Sequence, residues 1–557
     1  MGPELNAAVD VPVAMLALAQ GLSSPERNEK MKFSLSAAVS ETVVSFRRVF
    51  ALAIMLVVIA ACTEPVEPTA IPSDKGVAKA GFTRLQADQP LAYTSPVHPF
   101  MAQAGLNSMH GDSYNSDVHA VAGPQGLNTT ILSRVGSQAP GGMCATTTFS
   151  SDGKLITLCA SMMGFRINLL EPRTLRLLAE YSLPLRSSSY RALLHLDRSI
   201  IMEDTSGAYF YLDHEDRVVM ADNKQIIHRI AYRQTGRDSW EFYQEESWDL
   251  SATIPSDCLR PNNPFPAGEC DPITAVMPDY SGLIWWVTRA GRVGTLGKAS
   301  GALNMIQLAD EEIQNGFAVA QDGVYIVSDK AMYAFRAAPS GLPEVIWREP
   351  YDRGSARKVG SINQGSGTAP TLLSNYVTIT DNADGRINLL VYRRQLGASS
   401  ERLVCKVPLF SEGHSAAENS MIAFNRSIIL ENNAGYTSVF GEHDWATAGG
   451  GIVRVDVREN ESGCDIIWQS SERAPSVVPK LALSTGIAYF YNFMPAEDGT
   501  IAWYLMGLDY VTGETLFKIH TGNGKNFDNN WAPITLGSDG TAYVGTSKGL
   551  LAIYDEI

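Results

Sequence analysis

Ala532-Pro-Ile-Thr-Leu-Gly-Ser-Asp-Gly-Thr-Ala-Tyr-Val-Gly545 contains the unit from which this chain is built. It has a Pro-containing start, a short apolar strand, an Asp-Gly turn and a second strand of aromatic and β-branched residues. Residues 478–491, 369–382 and 318–329 repeat that order, and looser copies fall at 146–159, 193–204, 275–288 and 419–432. Spacings of roughly 40 to 70 residues are those of propeller blades with insertions. Such blades are covered only by their neighbours, so the ring must close to bury their faces.

The expectation is therefore an all-β chain forming a single β-propeller of eight four-stranded blades, with seven the alternative count. The competing architecture is a pair of β-sandwiches. The last copy ends in Gly549-Leu-Leu-Ala-Ile-Tyr-Asp555, one strand short, and Thr129-Thr-Ile-Leu-Ser-Arg-Val135 is expected to supply the missing strand and clasp the ring. Trp285, Trp286 and Trp503 are read as blade core, since large aromatics fill inter-blade space.

A formal net charge of −15 excludes the basic face that nucleic acid requires. Arg47 and Arg48 precede an apolar run over residues 49–61, which meets Cys62 directly. The run is short of the ~20 residues of a membrane span and has the layout of a secretory signal. Ile59-Ala60-Ala61-Cys62 resembles a bacterial lipobox, which implies lipidation of Cys62, with an ordinary membrane anchor as the alternative. The expected organisation is an upstream extension and lipoprotein signal peptide over 1–61, a lipidated Cys and flexible tether over 62–104, and the propeller over 105–557. Export to the cell envelope and lipid anchoring at the outer membrane or cell surface follow from that reading.

With Cys62 set aside, Cys144, Cys159, Cys258, Cys270, Cys405 and Cys464 form an even set that an oxidising compartment permits to pair. Cys258 and Cys270 bracket a loop rich in Pro and Asn, which favours a staple there. The other pairings stay open.

Residues 503–517, with Asp-Tyr-Val-Thr-Gly-Glu at 509–514, and residues 539–553 resemble the repeat of quinoprotein-dehydrogenase-like (PQQ-like) propellers. The enzymes of that family carry an adjacent-cysteine ring beside the quinone, and this chain has no Cys-Cys pair. A quinone cofactor is therefore not expected. Residues 312–329, with Asn315, are similar to the Asn-Gly-containing strand pair of calcium-dependent gluconolactonase, paraoxonase and strictosidine-synthase-like propellers. That resemblance implies Asn315 as a Ca²⁺ ligand, and Asp381, Asn382, Glu431 and Asn432 are candidates for further oxygens. Each of these residues also has an ordinary turn reading.

His110, Asp112, Tyr114, Asn115 and Asp117 are expected to form a polar loop capping one face of the ring, since no Gly-x-Ser-x-Gly elbow supplies a nucleophile. Residues 364–370 lack the Lys of a phosphate loop and are read as an inter-blade turn. In outline the chain resembles the propeller lipoprotein subunit of the outer-membrane protein assembly machine. The function expected is a binding or assembly module with an envelope protein or peptide as partner and the membrane reached through lipid. The alternative is a Ca²⁺-dependent lactonase or esterase with its site in the channel.

Overall fold

The computed structural model describes residues 69–71, 91–103, 105–135, 142–161, 164–184, 209–254, 271–397, 401–437, 448–496 and 499–556. Its strands form eight separate antiparallel sheets, each a four-stranded blade at its heart. In chain order, blade 1 starts at Met143–Phe149, blade 2 at Tyr211–Leu212, blade 3 at Ile273–Pro278 and blade 4 at Ala318–Ala320. Blade 5 starts at Thr371–Leu373, blade 6 at Ile422–Phe424, blade 7 at Lys480–Ala482 and blade 8 at Ile534–Leu536. The first strand of each blade is innermost.

The eight-bladed all-β propeller read from the repeat is thus the fold. Seven of the eight repeat copies fall on blade-starting hairpins. The copy at 193–204 lies outside the described residues, and the hairpin that opens blade 2 is Tyr211–Leu212 with Val218–Ala221.

Blade 8 closes the ring with the strand expected of it. Thr129–Val135 pairs antiparallel with Gly549–Asp555, from Thr129 opposite Asp555 to Val135 opposite Gly549. A register set by seven consecutive pairs holds the two chain ends together, and Ile131 and Ile553 are both buried on it. On its far side Thr129–Val135 accepts a fifth strand, Thr69–Ile71. The span read as tether also contributes Ala92, whose carbonyl accepts from Asn425, and Tyr93, whose ring packs edge-on to Phe424.

Neighbouring blades are joined by repeated contacts that follow from the strand-four sequence. Val345-Ile346-Trp347 in the outer strand of blade 4 (Pro343–Pro350) matches Ile466-Ile467-Trp468 in that of blade 6 (Cys464–Ser470). Trp347 Nε1 donates to Arg394 O just past the third strand of blade 5, and Trp468 Nε1 donates to Tyr510 O at the same place in blade 7. Buried indole nitrogens need such acceptors, so these bonds fix the rotation of one blade against the next. Trp285, Trp286 and Trp503 are fully buried, as expected.

Two disulfides add covalent ties. Cys144–Cys159 joins facing positions of the first two strands of blade 1, and Cys405–Cys464 joins the outer strands of blades 5 and 6. Cys62, Cys258 and Cys270 lie outside the described residues.

The outer ladders of blades 4, 5 and 6 each carry a β-bulge at an equivalent place, between Ala334 and Phe335, Val391 and Tyr392, and Arg454 and Val455. The extra residue on the outer strand is Ile346, Val404 and Ile467 respectively. A bulge puts two successive side chains on the same outward side. Val345 (46% exposed), Ile346 (44%), Leu403 (40%), Ile466 (40%) and Ile467 (47%) accordingly face solvent on three consecutive blades. The corresponding bulge in blade 2 presents Glu245 instead.

Candidate functional site

Residues 105–119 do not cap a face of the ring. They run along its axis, because their carbonyls are taken up in turn by the innermost strands of successive blades. Leu212 N of blade 2 donates to Asn107 O, Val319 N of blade 4 to Ser113 O, and Leu372 N of blade 5 to Tyr114 O. Ala423 N of blade 6 then donates to Ser116 O, and Leu481 N of blade 7 to Asp117 O. Only a segment on the axis reaches inner edges on so many sides. Val118–His119 finishes the path as a short parallel strand on Leu481–Ala482.

The physical reason lies in the inner edges themselves. The first strand of each blade leaves outward-turned N–H groups that a narrow channel cannot hydrate freely, and buried N–H groups must find acceptors. An axial peptide supplies them. To visit a new blade every one or two residues the backbone must reverse sharply, and Asn115 (φ 54°) and Asp117 (φ 56°) take left-handed conformations that Asn and Asp tolerate. Gly111, at φ 81°, sits where a Cβ would lie 3.4 Å from the Gly105 Cα.

Side chains lock the plug. Asp112 Oδ1 accepts from Tyr114 N (3.0 Å) and Ser116 N (3.1 Å), and its other oxygen from the Ser116 hydroxyl, an Asx-type turn. Lys480 of blade 7 donates to Asp117 and, at 2.9 Å, to Met109 O. His110 Nδ1 lies 3.1 Å from Asp117, and His110 Nε2 shares a 3.3 Å hydrogen bond with Ser420 Oγ of blade 6.

Ser420, His110 and Asp117 thus stand in the order of hydroxyl, imidazole and carboxylate. All three are almost fully buried, at 3%, 3% and 0% exposed, and the Tyr209 ring stacks on His110 with centroids 6.2 Å apart. The His110–Asp117 contact braces the plug internally, while Ser420 and Lys480 anchor it to blades 6 and 7.

Burial also sets the protonation of the axis. Desolvation raises Asp112 to about 6 despite its bonds to Ser116, and raises Glu418 to about 8. It lifts Glu431 well above the carboxylate range, with Asp117 adding repulsion. Desolvation lowers Lys480, against the pull of Asp117, and lowers His119 to about 3, with Lys480 acting in the same direction. Glu418 bridges elements, accepting from Gln314 Nε2 (3.1 Å) and from Ile362 N (2.8 Å).

The five oxygen-ligand candidates occupy separate hydrogen-bonded settings. Asn315 Nδ2 donates to Ser366 O. Asp381 accepts from Asn388 N and Nδ2, both at 2.7 Å, and faces Lys406 at 3.2 Å. Asn382 donates to Arg353 O and Ala356 O. Glu431 accepts from Asn419 Nδ2 at 2.8 Å. Asn432 accepts from Ala416 N and Ala434 N while donating to His414 O and Gly450 O. Among the described residues no group of three or more His, Cys, Asp or Glu is placed to hold a metal. Residues 364–370 form a turn into blade 5, as expected, with Ser366 N donating to Tyr351 OH.

Sequence reasoning missed the axial course of residues 105–119 and the part played by Lys480. The available signal was Lys480 itself, a lone cation at the start of a repeat in which the uncharged Ile534, Thr371 and Ala318 occupy the equivalent positions.

No family model matches the chain, and no curated protein matches it. Among solved structures it is similar to a streptogramin B lyase, at 11% identity and TM-score 0.38, covering 77% of this chain and 98% of that one. It is similar to BamB from Moraxella catarrhalis, at 13% identity and TM-score 0.32, covering 61% and 91%. The dihydro-heme d1 dehydrogenase NirN aligns at 12% identity and TM-score 0.41, covering 78% of each chain.

Proposed function

We propose that this protein is a polypeptide-binding module of the cell envelope, lipid-anchored through Cys62, whose ring is a rigid carrier for a peripheral docking surface. The observation that carries the reading is the exposed apolar band of Val345-Ile346, Leu403 and Ile466-Ile467, on outer strands that carry the same bulge in three consecutive blades. Exposed apolar residues grouped in this way mark interaction surfaces.

The Cys405–Cys464 bond ties two of the three strands together, which keeps the band's spacing fixed. The axis is filled by residues 105–119, and the band lies on the periphery, clear of that plug. The PQQ-like repeat resemblance supports the same class, a propeller used as an assembly scaffold. The basic flank, apolar run and lipobox-like Ile59–Cys62 sequence support the anchor.

A photo-crosslinking residue placed at Ile346, Leu403 or Ile467 in cells is expected to capture one recurring set of polypeptides. The same probe at Glu459, 88% exposed by side chain, is expected to capture none of them. Ile346→Asp with Ile467→Asp should abolish the capture from Leu403 without lowering Tm. Equal capture from Glu459, or capture that survives the double substitution, overturns the reading. Mass spectrometry of the mature N-terminus tests the anchor separately: intact residues 47–61 contradict lipidation.

A further inference from the structure

The residue that follows the bulge in each outer strand decides how blades 4, 5 and 6 hold the blade that comes next. In blade 4 that residue is Trp347, opposite Ala334, and in blade 6 it is Trp468, opposite Arg454. Both indoles are buried and donate to a carbonyl of the following blade, Arg394 O and Tyr510 O. In blade 5 the same position, opposite Val391, is Cys405. It has no indole to give and reaches blade 6 through its disulfide to Cys464. The joint between blades 5 and 6 is made by a covalent bond where its two neighbours use a hydrogen bond.

The two kinds of joint differ in what can undo them. An indole hydrogen bond has no redox chemistry, whereas a disulfide lasts only while it stays oxidised, and exposed disulfides are the labile ones because a thiolate can reach them. Cys405 and Cys464 are both half-buried, on strands where Leu403, Lys406, Asp465 and Ile466 are exposed. Cys144–Cys159 is the contrast. Its cysteines are 7% exposed each, face one another inside blade 1 and pack with Tyr543 and Leu550 of blade 8.

Opening the outer joint leaves the ring with other ties. One apolar core runs through both blades, from Leu389 and Val391 to Ile428 and Val455. Tyr376 OH donates to Glu461 at 2.6 Å, and Arg393 Nε donates to the same carboxylate at 3.1 Å. What is released is the outer pair of strands, Leu403–Pro408 and Cys464–Ser470, which carry Leu403, Ile466 and Ile467 of the exposed band.

We infer that Cys405–Cys464 is a redox-operated joint that sets the spacing of the docking band, opened by a dithiol reductant and closed by reoxidation. The inference rests on the reading of the band as a polypeptide-docking surface and adds its regulation. In the opening step a thiolate of the dithiol attacks one of the two sulfurs, the S–S bond breaks, and the other cysteine leaves as a thiolate and takes up a proton. The second thiol of the reductant then resolves the mixed disulfide. The chain has gained two electrons and two protons, and the reductant has become a disulfide. Once the strands are untied, a partner must order them as it binds, and that cost is taken from its affinity.

The test uses the full chain under native conditions. Oxidised protein is exposed to dithiothreitol for increasing times, alkylated with N-ethylmaleimide and mapped by mass spectrometry. Cys405 and Cys464 should be alkylated well before Cys144 and Cys159. Hydrogen exchange should rise in residues 403–408 and 464–470 while blade 1 stays protected. Opening of Cys144–Cys159 first, or reduction without a change in exchange at either outer strand, overturns the inference whatever the partner does.

Photo-crosslinking from Leu403 in cells reads the consequence for docking. Capture should fall about tenfold in Cys405→Ser with Cys464→Ser, the scale of one added ordering cost. Dithiothreitol given to cells with the wild-type chain should cause the same fall, its removal should restore capture, and the double variant should not respond to it. Equal capture from the wild type in both redox states overturns the redox joint and leaves the docking reading standing. Absence of capture from Leu403 and Ile346 in the oxidised wild type removes the docking reading, and the regulatory role with it.

Discussion

Lys480, on the innermost strand of blade 7, forms an ion pair with Asp117 at the centre of the axial plug, and the two side chains are 1% and 0% exposed. The pair joins an N-terminal segment to a strand more than 350 positions later, and it does so where water cannot replace either partner. Buried pairs of this kind are weak contributors when replaced together and costly when broken singly, since one charge is then left without a counterion.

Lys480→Met is therefore expected to destabilise the protein by about 3–5 kcal/mol, with Asp117→Asn costing less because His110 still contacts that position. The double variant should be clearly less destabilised than the sum of the two singles. Denaturant titration of the four proteins measures the coupling, and strict additivity would mean that the pair does not act as a unit.

Glu418 gives the axis a pH dependence with a definite sign. Its folded value of about 8 lies above its ordinary value of 4.5, so the folded protein holds a proton that the unfolded chain has released. Stability from this group is complete below pH 4.5 and is lost as pH rises toward 8. The slope approaches about 1.4 kcal/mol per pH unit, the value for one proton. His119, lowered to about 3, acts in the other direction, but only below its ordinary value of 6.5. Between pH 6.5 and 8 the fall should be visible as a declining Tm. Glu418→Gln, which keeps an amide in place of the neutral carboxyl, should reduce the slope, leaving the part due to Glu431, also raised by burial, and to Lys480, lowered by burial and acting in the opposite direction; an unchanged slope would assign the effect elsewhere.

The parts of this fold that were legible in the sequence are those carried by short-range pattern. The turn-and-strand order of residues 532–545 recurs because each blade solves the same packing problem, and the missing strand of blade 8 could be sought because the last copy stopped at Asp555. The bulges that expose Ile346 and Ile467 were not legible, since an extra residue in one strand is defined only by its partner strand. The axial plug was hidden for a related reason. Residues 105–119 have neither strand nor helix periodicity, and their order comes from N–H groups on four or more distant strands. His110 and Asp117 were noticed as a polar cluster, but their partners Lys480 and Ser420 come from blades 7 and 6.

The two described disulfides should differ in worth according to the loops they close. Cys405–Cys464 spans 59 residues and Cys144–Cys159 spans 15. The chain-entropy estimate gives about 4 kcal/mol for the first and about 3 kcal/mol for the second. Paired Ser substitutions, compared by denaturant unfolding, should rank in that order. A larger loss for Cys144 and Cys159 would show that local packing in blade 1 outweighs loop closure.

Glu431 separates the binding reading from a metal-dependent hydrolase. Burial, together with Asp117, pushes its carboxyl well above the usual range, which favours the neutral acid, and its Oε1 accepts from Asn419. Gln has nearly the same shape and charge as that form. Glu431→Gln is then expected to change stability by less than about 1 kcal/mol, the scale of one neutral hydrogen bond exchanged for another. A cation ligand behaves differently, since Ca²⁺ is held by ionised carboxylates and a Gln in that place removes a full charge from the site. Titrating Ca²⁺ into wild type and Glu431→Gln while following Tm distinguishes the two. An ion at about 100 times its dissociation constant would stabilise the wild type by about 2.7 kcal/mol, and the variant would lose that gain. The expected result is the same Tm for both proteins at every Ca²⁺ concentration, and a Ca²⁺-dependent rise present only in the wild type would move Glu431 from the structural axis into a metal site.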